Sequence, residues 1–205
     1  MSVLDDFNRA DGPVGSNWTD QLADAGTGCP LNVLSNQAAI SVAGKAAAAF
    51  YNAAVFANDQ WAQCRVFNSA GAWGQGPMVR SSGSLSTTFT NYEAFAQSAT
   101  NLRFARHING TPLTLKNIPA TIVDGDLILV QVVGTVLLMA QKTGVGDLTY
   151  RGSVIDTTVT VGSGGVILHA GGPVDDFEAD SGVHPFFVRY LQPFFGRMTS
   201  RLRLA

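Results

Sequence analysis

Leu4-Asp5-Asp6-Phe7-Asn8-Arg9-Ala10-Asp11 opens the sequence, and Val174-Asp175-Asp176-Phe177-Glu178-Ala179-Asp180 closes its main body. In each, a phenylalanine that seeks burial follows a pair of carboxylates, as in a short edge strand running into a polar turn. Between these near-repeats lie short apolar runs with turn signals every ~8–12 residues, the pattern of a sandwich or barrel. No segment carries a convincing helical period. The chain is expected to fold as one all-β body whose first and last strands lie close together.

The strands read as follows. Leu31–Val33 and Ala38–Val42 flank Ser35-Asn36-Gln37, and Ala46–Tyr51 is a tightly packed strand despite its alanines. Trp61–Phe67 alternates a mixed face with the apolar set Ala62, Cys64, Val66, so one side is buried. Pro77–Arg80, Asn91–Gln97 and Asn101–Ile108 follow, the last ending in the hairpin turn Asn109-Gly110. Asp124-Gly125-Asp126 leads into Leu127–Val133, where the carboxylates can accept backbone N–H bonds. Gly134 bends the chain back into Thr135–Lys142, and Thr149–Ile155 and Val166–Ala170 complete the body. Trp18 and Trp61 are expected to fill core, and Arg9 to pair with a carboxylate at one end.

Charge is uneven along the chain. Residues 1–180 hold 9 Lys and Arg against 15 Asp and Glu, whereas residues 181–205 hold four Arg and no acid. A basic end on an acidic body suggests a contact arm. Cys29 and Cys64 read as two buried thiols or as one pair. The first residues lack the basic and apolar regions of a signal peptide, so synthesis in the cytoplasm is expected. The longest apolar stretch, Leu127 to Ala140, is broken by Gln131, Gly134 and Thr135 and is too short to span a bilayer.

Several segments together resemble concanavalin A-like (laminin G-like) jelly-roll domains. These are Asp6-Phe7-Asn8-Arg9-Ala10-Asp11-Gly12 with Gly15 and Trp18, Asn58-Asp59-Gln60, Gly76-Pro77-Met78-Val79-Arg80 and Tyr92-Glu93-Ala94. Asp124-Gly125-Asp126-Leu127-Ile128 with Val133-Gly134, and the glycine-rich turn before Asp175-Asp176-Phe177, extend the resemblance over about residues 3–180. It implies an antiparallel β-sandwich, residues 1–180, followed by an aromatic and basic arm, residues 181–205. Such domains occur in lectins, glycan hydrolases and lyases, adhesion modules and bacteriophage virion proteins, so the likeness leaves the job open.

Cleavage chemistry on such a fold leaves a recognisable pattern. Glycan hydrolases on this fold place two glutamates and an aspartate at alternate positions of one strand, facing one groove. The chain has two glutamates, Glu93 and Glu178, and Tyr92-Glu93-Ala94-Phe95 holds no second carboxylate. His107, His169 and His184 lack metal-ligand spacing, and no nucleophile elbow or phosphate loop appears. No catalytic residue is assigned. Asp175, Asp176, Glu178 and Asp180 are candidate calcium ligands, since hard cations want clustered oxygens; the alternative is a solvated acidic edge.

Two binding surfaces are expected. Trp73, flanked by glycines in Gly71-Ala72-Trp73-Gly74-Gln75-Gly76, is the best glycan platform, assisted by Gln75, Asn91 and Tyr92; otherwise it caps the core. The arm repeats a Pro-Phe-Phe unit, so that Phe186, Phe187, Arg189, Tyr190, Phe194, Phe195 and Arg197 form an interface-like set. It either docks on a partner or folds back on its own sandwich, and Pro185 and Pro193 should divide it into two pieces. Four arginines are too few to argue for nucleic acid. The leading expectation is a non-enzymatic structural or interaction protein, a phage-type virion subunit (capsid decoration or tail-associated) anchored through this arm to other virion proteins or to its own copies. The alternative is a carbohydrate-binding, lectin-like module using the Trp73 loop.

Overall fold

The computed structural model describes residues 2–23, 26, 28–68, 73–169 and 171–195, the side chains of 192–195 excepted. Short extended runs punctuated by turn residues give sixteen strands: β1 Val3–Asp5, β2 Gly12–Pro13, β3 Trp18–Asp20, β4 Leu31–Leu34, β5 Gln37–Ile40, β6 Ala46–Tyr51, β7 Gln60–Val66 and β8 Gln75–Ser82. They continue as β9 Thr90–Ser98, β10 Asn101–Ile108, β11 Thr111–Pro119, β12 Asp126–Val133, β13 Val136–Lys142, β14 Thr149–Ile155, β15 Ser163–His169 and β16 Val174–Ser181.

The strands form two antiparallel sheets. One runs β14-β13-β12-β7-β16-β5-β4-β2 with β1 added on β16; the other runs β11-β10-β9-β8-β15-β6-β3. Between them lies one core that includes Phe7, Trp18, Cys64, Tyr92, Phe104, Ile128 and Phe177. The alternation read in the sequence sets these positions: Ala62, Cys64 and Val66 point inward. Ala46–Tyr51 is a strand despite its alanines, with Ala47 and Ala49 buried in the core. Cys29 and Cys64 are both buried and unpaired, and burial pushes the Cys64 thiol up.

The two near-repeated ends do meet. Val3 pairs with Ala179 and Asp5 with Phe177, and Phe7 and Phe177 both pack against Trp18, at centroid distances of 5.7 and 4.9 Å. Asp5 organises this end: its carboxylate accepts from Arg9 Nη1 at 2.7 Å, from Trp18 Nε1 at 2.8 Å and from the Phe7 amide at 2.9 Å. The closing strand is not an edge, however. β16 runs between β7 on one side and β1 and β5 on the other, because the apolar Phe177 and Ala179 belong to the central core.

The Asp-Gly-Asp turn behaves as its chemistry requires. Asp124 Oδ1 accepts from the Asn68 amide at 2.7 Å, and the buried Asp126 accepts from the Val123 amide at 3.1 Å. Gly134, at φ 56°, makes the hairpin between β12 and β13. The strand β11, which completes the Asn109-Gly110 hairpin, is exposed along most of its length.

The first half of the arm folds back onto its own body. Pro185–Phe187 forms a 3-10 turn that runs into α1, Val188–Phe195. The break falls before Val188, and Pro193 lies inside α1 instead of dividing the arm. Phe187 and Leu191 are buried against Trp61, Leu129 and Leu138 on the outer face of the larger sheet. Gln131 fixes the entry: its Nε2 donates to the Gly182 carbonyl and its Oε1 accepts from the His184 amide, each at 2.8 Å. Trp61 therefore fills a second apolar layer, beneath the arm, and meets the His184 ring edge-on at 4.7 Å. Among the described residues, no helix is long and apolar enough to cross a membrane.

Candidate functional site

The outer face of the smaller sheet carries a pocket of about 290 Å³. Outward positions alternate along each strand: Glu93, Phe95 and Gln97 from β9, Arg103, Ala105 and His107 from β10, and Pro112 and Thr114 from β11. His169 closes it from the end of β15, and Trp73 with Gly74 forms the lip beside it. Gly74 (φ 134°) allows that lip to approach. A Cβ there would stand 2.8 Å from the His169 carbonyl oxygen, and the Gly74 carbonyl accepts from the His169 amide at 2.6 Å.

Glu93 lies at the bottom of the pocket, 1 % exposed. His169 Nε2 lies 3.1 Å from Glu93 Oε2 and 3.2 Å from Oε1, and His107 Nδ1 lies 3.7 Å from Oε1. Burial pushes Glu93 up, but His169, by its charge and its hydrogen bond, then His107 and Arg103 outweigh that and hold it below the usual carboxylate range. For His169 burial pulls downward, and the charge and hydrogen bond of Glu93 prevail to raise it. His107 is pulled down by burial and stays neutral more readily. The cluster is framed by rings: Phe89 lies 4.4 Å from His107, Phe95 5.0 Å from His169, and the two imidazoles stack at 5.8 Å.

Two polar groups of the pocket are left over. Gln97 Oε1 is buried and accepts no hydrogen bond. Arg103 donates from Nε to Asn117 Oδ1 at 2.9 Å and lies 5.9 Å from the Phe95 ring centroid; its charge reaches Glu93, yet it makes no ion pair among the described residues.

Of the four residues expected to hold a glycan, Trp73 alone lines this pocket. It is half-buried, with part of its ring packed against the core, so it combines the platform and cap expected of it as alternatives. Residues 71 and 72 of its loop lie outside the described residues. Gln75, Asn91 and Tyr92 are corrections, all fully buried. Gln75 donates to the Phe67 carbonyl, and Asn91 donates to Met78 Sδ while its Oδ1 faces His107 Nδ1 at 3.3 Å. Tyr92 points to the opposite side of its strand, into the core, where its hydroxyl donates to Asp156 Oδ1 at 2.6 Å.

The calcium set is also corrected. Among the described residues no group of three or more His, Cys, Asp or Glu is placed to hold a metal ion. A register shift between Asp175 and Glu178, with Asp176 at φ 49°, breaks the alternation that would have aligned the acids. Asp176 instead pairs with Arg65 Nε at 2.8 Å, Glu178 accepts from Ser2 and Gln63, and Asp180 accepts from the Ser181 amide.

Of the expected partner-binding set, Phe187 is a correction, since its ring is buried on its own sheet. Phe186 and Tyr190 are partly buried at the margin of that contact, and Tyr190 stacks on Tyr150 at 4.3 Å. Arg189 is exposed, over the rings of Phe186 and Tyr190 at 5.3 and 4.8 Å. The side chains of Phe194 and Phe195, and all of Arg197, lie outside the described residues.

Sequence reasoning missed Glu93, His107 and His169 as one cluster. Its signal was the outward parity of Glu93 on β9 and His107 on β10, but the neighbourhood of His169 depends on β15 lying beside β8, which no local pattern reveals.

Two stacked antiparallel sheets with these crossovers define an all-β jelly-roll sandwich. Solved structures of similar shape are concanavalin A- and legume-lectin-like folds. A β-1,3-1,4-glucanase (lichenase) from a mouse hindgut metagenome superposes with a TM-score of 0.57 at 10% identity, covering 89% of this chain and 100% of that one. The carbohydrate binding module CBM66 from Bacillus subtilis gives 0.55 at 14% identity, covering 81% and 94%. A legume lectin-like domain from Entamoeba histolytica gives 0.55 at 10% identity, covering 82% and 91%. At these identities the likeness is one of fold. No protein-family model matches the sequence, and no curated protein matches it.

Proposed function

We propose that the protein is a non-enzymatic interaction protein that binds carbohydrate in the pocket of its smaller sheet. The observation that carries this is the combination, in one pocket, of the Trp73 ring with the unshared donors of Arg103 and the unshared acceptor of Gln97. Sugars present apolar ring faces and paired hydroxyls, and such a mixed lining suits them. The carbohydrate-binding and lectin-like names of similar folds support the reading. Binding is preferred to hydrolysis because Glu93 is the single carboxylate lining the pocket among the described residues, and its oxygens are engaged by His169. A glycan array followed by calorimetry tests it. Trp73→Ala should weaken binding of any hit at least tenfold, whereas Gln63→Ala, on the other sheet, should not. An array without hits, or hits indifferent to Trp73, would exclude the reading.

A second reading, a phage-type virion subunit meeting other virion proteins or its own copies through residues 183–205, draws support from the exposed Arg189 over Phe186 and Tyr190. It predicts a solution mass that rises with concentration and returns to that of a monomer in Arg189→Glu.

A further inference from the structure

We propose that the ligand of this pocket is an acidic saccharide whose carboxylate is taken by Arg103; this rests on the carbohydrate-binding reading.

The charges around the pocket lead there. Glu93 and His169 face each other at 3.1 Å, so the buried acid is matched from within. Among the described residues, Arg103 is the pocket cation that makes no ion pair, although its charge also helps to lower Glu93. Three other guanidinium groups of the body are held by acids: Arg9 by Asp5, Arg65 by Asp176 and Arg106 by Asp156. Arg103 has only the amide oxygen of Asn117 on its Nε, which leaves Nη1 and Nη2 directed to no acceptor among the described residues. A guanidinium fork with both terminal nitrogens unused matches the two oxygens of a carboxylate.

The remaining groups suit the rest of such a sugar. Gln97 Oε1 is a buried acceptor without a donor, which a sugar hydroxyl would supply once the side chain turns toward it. Trp73, half-buried on the lip beside His169, offers an apolar face to a ring, and Phe95, buried beneath the Arg103 guanidinium, backs that cation. At about 290 Å³ the pocket is at the small end of ligand sites, suited to one ring and its substituents. The surrounding body, with 9 basic against 15 acidic residues over 1–180, gives an anion no general attraction. Selectivity would therefore arise at Arg103 itself.

Matched pairs test the inference: oligogalacturonide against its methyl ester, and sialyllactose against lactose, each measured by calorimetry. In at least one pair the acid should bind at least tenfold tighter than its neutral counterpart, and which pair responds separates a uronate from a sialate. Arg103→Gln should bring that ratio to about one, and Arg103→Lys should restore it in part, since the charge returns without the fork. Thermal unfolding of both variants checks that the fold is intact. Neutral sugars bound as well as acidic ones, or a preference that survives Arg103→Gln, would overturn the inference and leave carbohydrate binding standing. If no saccharide of either kind binds, the proposed function itself fails.

Discussion

Glu93 and His169 face each other across the width of one strand: Oε2 of the first, on β9, lies 3.1 Å from Nε2 of the second, on β15, with β8 between them. The two shifts run in opposite senses and define where the pair is charged. Glu93 is held below its ordinary 4.5, so its contribution is present above that value and is lost as pH falls through the lowered one. His169 is raised above its ordinary 6.5, so its contribution is present below that value and is lost as pH rises through the raised one.

Glu93→Gln should accordingly destabilise the protein most between those ordinary values. At pH 5.5 we expect a loss of about 2 kcal/mol, the scale of a hydrogen bond to a charged group, and a smaller loss at pH 9. Urea unfolding at the two pH values measures it. Equal losses would mean that the pair is not ionised in the folded state.

Phe187→Ala should release the arm. A buried phenylalanine reduced to alanine costs about 3–5 kcal/mol where the site cannot collapse, more than one short helix can recover from its remaining contacts. Trp61, 8 % exposed beneath the arm, should then meet water. Its emission, isolated as the difference from a Trp61→Phe background, should shift to the red while the sandwich keeps its cooperative unfolding. An unshifted spectrum would contradict the packing described.

Tyr92→Phe should cost about 1–2 kcal/mol. The hydroxyl donates to Asp156 Oδ1 and accepts from the Val159 amide at 2.9 Å, and Asp156 also holds Arg106, so the network ties β9, β10 and the loop after β14 together. Burial first, then the hydrogen bond to Asp156, pushes this phenol up to about 12. Absorbance at 295 nm should show a tyrosine step near that pH, absent from the variant. A wild-type titration complete by pH 11 would refute the network.

Local patterns read the sandwich well because strand alternation and turn chemistry are local. Ala62, Cys64 and Val66 face inward as their spacing required, and Asp124 and Asp126 accept the amides their turn exposes. The destination of the arm was legible too, from an unused clue. In β12 and β13 both alternate sets are apolar: Ile128, Val130 and Val132 face the core, while Leu127, Leu129 and Leu138 face outward. A sheet apolar on both faces needs cover on both, and the aromatic arm supplies it. The site was less legible. Asn91 and Tyr92 are consecutive, so one strand sends them to opposite faces and they cannot share a ligand. Arg103 went unremarked because its meaning depends on the carboxylates it lacks, a property of the folded surface.

The pairing of β1 and β16 bears on how the molecule is made. Val3 finds Ala179 only after the whole sandwich between them has left the ribosome, and loop closure over such a separation is slow. Until β16 inserts, β7 and the β4–β5 hairpin have no partner between them, and two open strand edges face each other in the nascent protein. The larger sheet is thus completed by its last strand, and the interval before that strand arrives is when a growing chain is most open to pairing with its neighbours.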